Sequence, residues 1–431
     1  MRRKLPLFVT LFTLALMSQS LFASTDSTVG SCAGPGTHYA TINEAVTAAA
    51  SGATIDVCPG TYPEQVTISK NLTLRGIKNG TLYAPTIVVP SGGLAANGTN
   101  IGGDSVAAQI FVKGADVTVS HLTIDGSNNG LSDCTINPMG VYYQNSSGTI
   151  TDNVVRNVNM APSLQGCQVG LAISVESNTG TPAVSVSHNS VRNYDKAGIV
   201  ASGPGTGGGP AVTVTDNTVI GIGATTATAQ NGIQIGYGAT GSVTSNDVAD
   251  DLYTNPPCGS TSQPQCYAAS GILIYASSGV TATNNTVDST QLGIVTTSDP
   301  TYGTANDAVI KSNHIGGTQL FDAIDLCSDG NTAESNTLYG SAESGIHVNA
   351  GCPPSTGSNN SVTRNTINEA CAGILLGTGT GNITSPDTFM NVTYTTLSGD
   401  VCPVPVEAST IETASAKHVA LRASPYTAIR K

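Results

Sequence analysis

Residues 186–200 read VSHNSVRNYDKAGIV, and much of the chain can be aligned on them. The stretch contains an apolar residue, an Asn, an apolar residue two places on, a spacer, and then Gly-Ile with another aliphatic residue. Later copies read VTDNTV…NGIQI, VTSNDV…SGILI, ATNNTV…LGIV, IKSNHI…DAIDL, AESNTL…SGIHV and VTRNTI…AGILL, and an earlier, looser copy reads ITDNVV…VGLAI. The marker residues are Asn153, Asn189, Asn217, Asn246, Asn285, Asn313, Asn336 and Asn365. Such repetition predicts a solenoid.

Within each copy the apolar residues alternate with polar ones, as at Val184 and Val186 or at Ile233 and Ile235. A period of two predicts strands with one buried face, and no helix-period stretch lies between the copies. Successive strands must then run parallel, one coil above the next. The predicted fold is therefore all-β, a parallel β-helix with about 22 residues in its shortest coils. The clearest repeats occupy 141–376.

The repeated polar residues have physical roles in such a fold. A stacked Asn can pass side-chain amide hydrogen bonds from coil to coil and so satisfy polar groups at a tight turn. A repeated Gly permits a positive φ at a corner. The interior Val, Ile and Leu side chains stack on their counterparts above and below, and each contributes on the order of 1.5–3 kcal/mol by its burial.

This pattern resembles the right-handed parallel β-helix of the pectin-lyase-like superfamily, and the resemblance covers most of the chain after residue 24. It implies the right hand, which the general preference for right-handed parallel crossovers also favours. Residues 53–76, ATIDVCPGTYPEQVTISKNLTLRG, contain a GTYPE turn that resembles the first coils of pectin methylesterases. In that family the turn is structural, so the resemblance implies fold and not chemistry.

The first residues are typical of a secretory signal. Arg2, Arg3 and Lys4 precede an apolar run of about a dozen residues, which is too short to span a membrane. We therefore expect a cleaved signal peptide at 1–24 and a secreted or periplasmic protein. Without these residues the chain has 13 Lys and Arg against 28 Asp and Glu, a net charge of −15.

The ten cysteines all follow the signal. They lie as near neighbours in sequence, and an even number in an exported chain predicts disulfides, although the sequence leaves their connectivity open. A metal cluster is the weaker interpretation, because no CxxC occurs and the six His are scattered. The neighbours are Cys32 and Cys58, Cys134 and Cys167, Cys258 and Cys266, Cys327 and Cys352, and Cys371 and Cys402.

The ends of the solenoid need covers. Residues 41–51, TINEAVTAAAS, predict a helix with a capping box at Thr41 and Glu44, and it would cover the open end of the first coil. We expect the β-helix to occupy 25–381. The repeat is lost after that, so 382–431 are expected to form a C-terminal cap and tail, with a last strand at 390–397.

Insertion lengths predict a candidate site. Long spacers between Asn and Gly occur at 153–170, 217–232 and 246–271, and all leave the solenoid at one corner. The short copy between the first two would form the floor of a cleft, and repeat proteins often bind through insertions on one face. The expected floor and wall residues are Arg192, Tyr194, Asp195 and Lys196 on the floor, Arg156 one coil before Arg192, and Asp250, Asp251 and Tyr253 at the third insertion.

The charged residues also allow interpretations that involve no functional site. Charged residues at β-helix turns usually serve only solubility, and a local Asp–Lys or Arg–Asp pair at the surface contributes almost nothing. Asp322, Asp325, Asp329 and Glu334 offer oxygen ligands for Ca²⁺, but their spacing matches no EF-hand or nonapeptide repeat. We expect these four to be surface carboxylates and expect no resident metal or cofactor.

The resemblance to β-helix enzymes does not extend to their catalytic motifs. Pectin methylesterases carry Gln-Asp-Thr, polygalacturonases carry Gly-His-Gly and Arg-Ile-Lys, and mannuronan epimerases carry Asp-Pro-His. None of these occurs here, although an isolated Asp250-Asp251 pair and Asp299-Pro300-Thr301 come near. The failed motifs favour a non-catalytic, secreted, carbohydrate-interacting solenoid, with a polysaccharide as partner. We expect no nucleic-acid partner, no membrane span and a monomer.

The alternative is a polysaccharide lyase or glycosidase. In a lyase, Lys196 or Arg192 would take the proton, Arg156 or a Ca²⁺ held by Asp195 and Asp250 would neutralise the uronate, and Tyr194 or Tyr253 would protonate the leaving oxygen. In a glycosidase, Asp195 and one of Asp250 or Asp251 would form the carboxylate pair. Periplasmic β-helices that assist copper enzymes are a third class, but clustered Met and His are missing from the sequence.

Overall fold

A computed structural model describes residues 26–78, 85–205, 208–254, 268–317, 321–399 and 401–402. Its chain winds into coils of three strands, as in Ser147–Thr151, Val154–Arg156 and Leu171–Glu176. Each of these three strands pairs in parallel with a strand in the coil before it and a strand in the coil after it. The fold is the predicted right-handed parallel β-helix.

The strands belong to two sheets, one of 13 strands and one of 22. The 13-stranded sheet contains Ser27–Val29, Thr37–Tyr39, Ala53–Val57, Leu72–Gly76, Asp116–Ser120, Ser147–Thr151, Ala183–Ser187, Ala211–Thr215, Thr240–Thr244, Thr281–Thr283, Val309–Lys311, Thr332–Glu334 and Ser361–Thr363. The 22-stranded sheet contains Thr61–Pro63, Val66–Ile68, Thr86–Val88, Gly98–Thr99, Ser105–Lys113, Thr123–Asp125, Ile136–Gln144, Val154–Arg156, Leu171–Glu176, Ser190–Arg192, Ala197–Ser202, Thr218–Thr225, Asn231–Gly236, Asp247–Tyr253, Ser270–Tyr275, Thr286–Asp288, Leu292–Thr297, His314–Gly316, Ile324–Cys327, Thr337–Val348, Thr366–Leu376 and Thr388–Ser398.

Apolar side chains stack along the axis of the solenoid. One inward column of the 22-stranded sheet consists almost entirely of Ile, each residue in register with the next and fully or almost fully buried. It contains Ile110, Val141, Ile173, Ile199, Ile233, Ile272, Ile294, Ile324, Ile346 and Ile374. Because β-branched side chains favour the pleated, half-buried surface of a sheet, this column stabilises both the strands and their register.

The marker Asn residues form the predicted ladder. Each buried amide donates through Nδ2 to the Oδ1 of the next marker residue, at 2.9–3.1 Å, from Asn153 to Asn365. Asn365 donates in turn to Oδ1 of Asp387 at 2.9 Å, which ends the ladder with an acceptor. Each Oδ1 also accepts the backbone N–H of the preceding marker residue, so the ladder satisfies a buried donor in every coil.

A helix covers the first coil, as expected. It runs Ile42–Ala48, shorter than the predicted 41–51, and begins with a complete capping box between Thr41 and Glu44. Glu64, the last residue of the GTYPE turn, accepts the backbone N–H groups of Ile42 and Asn43 at 2.9 Å. The turn thus supplies acceptors for helix-terminal donors, which agrees with its structural interpretation.

Disulfides link eight of the ten cysteines, as predicted for an exported chain. The pairs are Cys32–Cys58, Cys134–Cys167, Cys327–Cys352 and Cys371–Cys402. Cys258 and Cys266 lie outside the described residues.

The coil stacking continues past 381. The expected last strand at 390–397 lies within Thr388–Ser398, which pairs in parallel with Thr366–Leu376. The signal at 1–24 and the tail after Cys402 lie outside the described residues. Within the described ranges, no helix has the length and apolar character needed to cross a membrane.

Candidate functional site

Residues of the first two insertions at one corner lie over the short coil, where the sequence predicted the floor of an open cleft. The first insertion carries a 3₁₀ helix, Pro162–Cys167, tied to Cys134 by a disulfide. Lys196 Nζ donates to Gln168 Oε1 at 3.2 Å and to the backbone oxygen of Ala229 at 2.5 Å, so residues of two insertions close over it. The segment 255–267 of the third insertion lies outside the described residues.

The predicted cleft floor is consequently buried. Tyr194 and Asp195 are 0% exposed and Lys196 is 1% exposed. Their expected access to solvent was wrong, because spacer lengths show where insertions leave the solenoid but not how they fold back. These residues form a buried polar cluster with Asp251, which is also fully buried.

Hydrogen bonds satisfy only part of this buried cluster. Asp251 Oδ1 accepts from the Tyr194 hydroxyl at 2.7 Å, and Asp195 Oδ2 lies 3.4 Å from the backbone nitrogen of Met160. The other two oxygens, Asp195 Oδ1 and Asp251 Oδ2, are buried and have no hydrogen-bond partner among the residues that the structure describes. A buried, unpaired carboxylate oxygen is costly, so these two groups call for a proton or a ligand.

Burial shifts the protonation of the cluster toward neutral forms. It raises the pKa of Asp195 to about 8, and Lys196 only partly offsets this. It lowers the pKa of Lys196 to about 8 against the attraction of Asp195 and Asp251. Burial also raises the pKa of Asp251 well above its ordinary value despite the hydrogen bond from Tyr194. Asp195 is therefore largely protonated at neutral pH, and the protonated form of Asp251 is favoured as well. Such shifts occur both at functional sites and in buried structural networks.

The residues predicted to form the wall at the third insertion differ in their exposure to solvent. Asp250 is partly buried and has a left-handed backbone, with φ 64°. Tyr253 is 5% exposed, so it offers little surface to a substrate. The predicted wall at the third insertion is therefore mostly interior, because Asp250, Asp251 and Tyr253 belong to the strand Asp247–Tyr253 and not to a protruding loop.

A partly exposed polar row lies on neighbouring coils beside this corner, and we name it the arginine wall. Arg156 and Arg192 are in register, as predicted, and Arg156 Nε donates to Asp125 Oδ2 at 2.9 Å. Asn157 Nδ2 donates to Asp125 Oδ1 at 2.9 Å, and Asn193 Nδ2 donates to Asn157 Oδ1 at 2.5 Å. These five residues place guanidinium and amide groups at fixed positions on the surface.

Arg192 differs from Arg156 in its partners. Its guanidinium donates to Ser190 Oγ at 2.6 Å, and within the described ranges it forms no ion pair. Arg192 is exposed, whereas Arg156 is partly buried and held by Asp125. The guanidinium of Arg192 is thus the member of the arginine wall with donors to spare for a ligand.

Two of the four carboxylates considered for Ca²⁺ have other partners. Asp329 Oδ1 accepts the backbone N–H groups of Thr356 and Ser358 at 2.9 and 2.8 Å. Glu334 forms ion pairs with Lys311, at 3.3 Å, and with Arg364. The four carboxylates therefore do not form one cation site in this structure.

The other two carboxylates meet a histidine that the sequence interpretation missed. Asp322 and Asp325 are 0% and 1% exposed, so the expectation that they lie at the surface was wrong. His347 is fully buried as well, and its Nδ1 lies 3.3 Å from Asp322 Oδ2. The sequence could have predicted that Asp325 and His347 are neighbours. When the copies are aligned, the residue after Ile is Asp325 in DAIDL and His347 in the next copy, SGIHV.

A further buried acid was also missed. Glu176 is fully buried and accepts from the Tyr142 hydroxyl at 2.8 Å and from the backbone N–H of Ile101 at 3.1 Å. Burial raises the pKa of Glu176 to about 7, although these hydrogen bonds act in the opposite direction. The group is thus held within the solenoid wall by its neighbours.

Comparison with known proteins adds a family match. Residues 189–402 match the model of the NosD family, described as a periplasmic copper-binding protein. No curated protein matches the sequence.

Solved structures of β-helix proteins are similar at low identity. A GH136 lacto-N-biosidase from Eubacterium ramulus is 12% identical with a TM-score of 0.43, over 79% of this chain and 62% of that enzyme, so the chain spans less than two thirds of its length. A mannuronan C-5 epimerase A-module from Azotobacter vinelandii is 12% identical (TM-score 0.39; 81% and 91% covered). A DFA-IIIase from Arthrobacter chlorophenolicus A6 is 13% identical (TM-score 0.40; 92% and 91% covered).

Proposed function

We propose that this right-handed parallel β-helix protein of the pectin-lyase-like superfamily is exported and binds an acidic saccharide at the arginine wall without chemically altering it. The observation that carries this proposal is the exposed guanidinium of Arg192, one coil from the fixed guanidinium of Arg156. A planar guanidinium matches a carboxylate through two parallel hydrogen bonds. The amides of Asn157 and Asn193 would add neutral partners for hydroxyl groups beside it.

The net negative charge of the protein limits how long an acidic saccharide ligand can be. Without the signal the net charge is −15, which repels a long polyanion, so we propose contact with a short uronate-containing segment, or a contact that a divalent cation bridges. The same charge disfavours a nucleic-acid partner, and we propose a monomer.

Burial of two of the three predicted catalytic groups, Asp195 and Lys196, supports a non-catalytic role. A general acid or base must come within hydrogen-bond reach of the atom with which it exchanges a proton. Asp195 and Lys196 are covered by the folded insertions, and two of the donors of Lys196 are already engaged. A substrate bound at the arginine wall would not reach them without movement of the insertions.

A glycosidase-type enzyme is the second candidate, and one observation favours it. Asp195 Oδ1 and Asp251 Oδ2 are buried oxygens without hydrogen-bond partners in the described part of the chain, and their carboxyl groups have raised pKa values. A carboxyl group kept protonated near neutrality is what a general acid requires. This candidate requires that the insertions open to admit a sugar.

Export is supported by two further findings. The four disulfides are typical of an oxidising compartment, and the matched family is described as periplasmic. That description also names copper. Cuprous sites favour soft thiolate and thioether ligands, and the described cysteines are all in disulfides. The cysteines therefore do not fit a copper thiolate site, and copper is not part of this proposal.

Binding measurements can test the proposal on the oxidised protein without its signal. Calorimetric titration would use short oligogalacturonate, oligomannuronate and a neutral cello-oligosaccharide, each with and without Ca²⁺. We expect one acidic series to bind and Arg192→Ala to weaken it roughly 10- to 100-fold, the equivalent of a charge-assisted hydrogen bond worth about 1.5–3 kcal/mol. Lys113→Ala, an exposed cation outside the arginine wall, is the matched control.

The outcomes separate the two candidates. Equal binding by the wild type and by Arg192→Ala, or no binding by any series, overturns the proposed site. Chromatography of each saccharide after long incubation provides the second readout. New products that disappear with Asp195→Asn would favour the enzyme and contradict the non-catalytic proposal.

A further inference from the structure

Three metal-ligating side chains converge within the wall of the solenoid, far along the chain from the arginine wall. Asp322, Asp325 and His347 each offer one ligand atom, and these atoms lie within 4.8 Å of one another. All three side chains are buried. Asp325 and His347 are register partners on neighbouring coils. Asp322 lies three residues before Asp325, in the same coil.

The fold itself does not require polar residues at these positions. The register column that contains Asp325 and His347 continues with Leu273 and Val295 on one side and Leu375 on the other. These apolar neighbours are equally buried. A carboxylate and an imidazole therefore replace hydrophobic side chains at two successive positions, where an aliphatic residue satisfies the packing in adjacent coils.

Such a replacement has an energetic cost unless a counter-charge compensates for it. Two carboxylates within a few ångströms of each other repel strongly in a buried site, and each loses its hydration. A divalent cation shared by the two carboxylates, with a neutral imidazole as the third ligand, balances the charge of the set. This mixture of two oxygens and one nitrogen suits a borderline ion of the zinc class.

The separation of one pair of ligand atoms fits ligands around an ion better than a strong ion pair. His347 Nδ1 and Asp322 Oδ2 are 3.3 Å apart, whereas charge-assisted hydrogen bonds between such groups measure about 2.7–2.9 Å. Two ligand atoms of a tetrahedral shell with bonds of about 2.0–2.1 Å lie about 3.3–3.4 Å apart. The separation of His347 Nδ1 and Asp322 Oδ2 therefore matches one edge of such a shell, and all three ligand atoms lie within 4.8 Å of one another.

Neighbouring groups already orient the two carboxylates. Ser344 Oγ donates to Asp322 Oδ1 at 2.5 Å, which leaves Oδ2 directed toward His347. Asn349 Nδ2 lies 3.5 Å from Asp325 Oδ2. Partners of this kind, behind the ligands, fix carboxylate orientation in metal sites.

We propose that Asp322, Asp325 and His347 bind one divalent transition-metal ion of the zinc class, with further positions for water or another ligand. This inference goes beyond saccharide binding and does not depend on it. The site would hold together two successive coils in the C-terminal half of the solenoid.

The test uses the oxidised protein without its signal, stripped of metal by chelator and then titrated with Co²⁺, Zn²⁺ and Mn²⁺ separately. We expect one equivalent of Co²⁺ or Zn²⁺ to bind and the melting temperature to rise on binding. Bound Co²⁺ should show the intense visible absorption of a four- or five-coordinate ion. Zn²⁺ should displace it stoichiometrically.

Two variants and one control make the test decisive. In His347→Leu the new leucine joins a register column that also contains Val295 and Leu375, so it should pack without strain. Asp325→Asn preserves the shape of the side chain. Both should weaken Co²⁺ binding at least 100-fold and abolish the rise in melting temperature, while His314→Asn, an exposed histidine on another strand, should change neither. Arg192→Ala should bind metal normally, which separates this site from the arginine wall.

Two results overturn the inference. One is wild-type protein that takes up no stoichiometric Co²⁺, Zn²⁺ or Mn²⁺ while folded. The other is binding that persists unchanged in both His347→Leu and Asp325→Asn, which would place the ion elsewhere. In either case the three residues serve only as a buried Asp–His network.

Discussion

Replacement of Asn217 by Ala should destabilise the solenoid far more than any outward substitution in the same coil. Asn217 Oδ1 accepts from the backbone nitrogen and from Nδ2 of Asn189, both at 3.0 Å. Its Nδ2 donates to the backbone oxygen of Val186 and to Asn246 Oδ1, both at 2.9 Å. The residue is 1% exposed, so water cannot replace these partners without entering the wall.

The magnitude follows from the groups left without partners. Asn217→Ala removes the acceptor of two buried donors of Asn189 and one donor to Val186, while Asn246 Oδ1 keeps the backbone N–H of residue 217. Each buried polar group that loses its partner costs about 1–3 kcal/mol. Partial relaxation of the turn reduces the sum, so we expect a loss of about 3–5 kcal/mol in the free energy of unfolding.

Urea unfolding of the oxidised protein, followed by far-UV circular dichroism, measures this loss. Thr213→Ala is the matched control, since Thr213 lies on the exposed face of the strand Ala211–Thr215 in the same coil. It should cost less than about 1 kcal/mol, the range of strand propensity. If Asn217→Ala cost no more than Thr213→Ala, the ladder would not contribute to stability and the reasoning would be refuted. Asn189→Ala should combine with Asn217→Ala less than additively, because the two share hydrogen bonds.

Two further predictions concern protonation and packing. Folded Asp195 keeps its proton up to a pKa of about 8 and Lys196 loses its proton near the same pH, so their contribution to stability should fall from pH 4 to 8 and rise again above 8. Urea unfolding between pH 4 and 10.5 checks this. Asp195→Asn should reduce the fall but not remove it, because Glu176 and Asp251 are buried acids whose pKa values are also raised. Identical pH profiles for the wild type and Asp195→Asn would contradict the raised pKa of Asp195. A Cβ at Gly232 would lie 2.6 Å from the backbone oxygen of Gly271, so Gly232→Ala should cost about 1–3 kcal/mol. Gly92→Ala, with no atom within 4 Å, should cost less, and equal melting temperatures for the two would exclude the close contact.

The features that could be predicted from the sequence are those in which a residue type and its spacing determine a contact locally. Asn189 and Asn217 recur at the same place in each copy, and an amide can both donate and accept, so the ladder follows from the repeat. The capping box at Thr41 and Glu44 is likewise a contact across a few residues. In both cases the residue types and their spacing are enough to predict which atoms form the hydrogen bonds.

Burial at the corner could not be predicted in the same way. The side chains of Asp195 and Lys196 are polar, and their exclusion from solvent depends on where Gln168 and Ala229 lie after two insertions have folded. Insertion lengths contain no information on that path. Polar composition alone therefore suggested an open cleft where the chain forms a covered cluster.

The convergence of Asp325 and His347 is an intermediate case. The two residues are 22 positions apart, and their contact becomes visible only when the coils are aligned so that DAIDL and SGIHV occupy one column. Reading each copy along the chain hides such contacts, whereas reading down a column reveals them. Asp322 is harder to find, because it lies at the corner before the strand Ile324–Cys327.

The columns also show why one solenoid can hold unrelated sites. Inward columns such as that of Ile233 are constant because every coil must pack on the next, so chemical variety is confined to outward positions and corners. Five register steps separate Arg192 from Tyr339, which shares the strand Thr337–Val348 with His347. At about 4.8 Å per step this is roughly 24 Å along the axis, beyond the range over which substitutions without shared partners usually interact. The arginine wall and the cation site can therefore vary independently, while the Asn ladder that links their coils cannot.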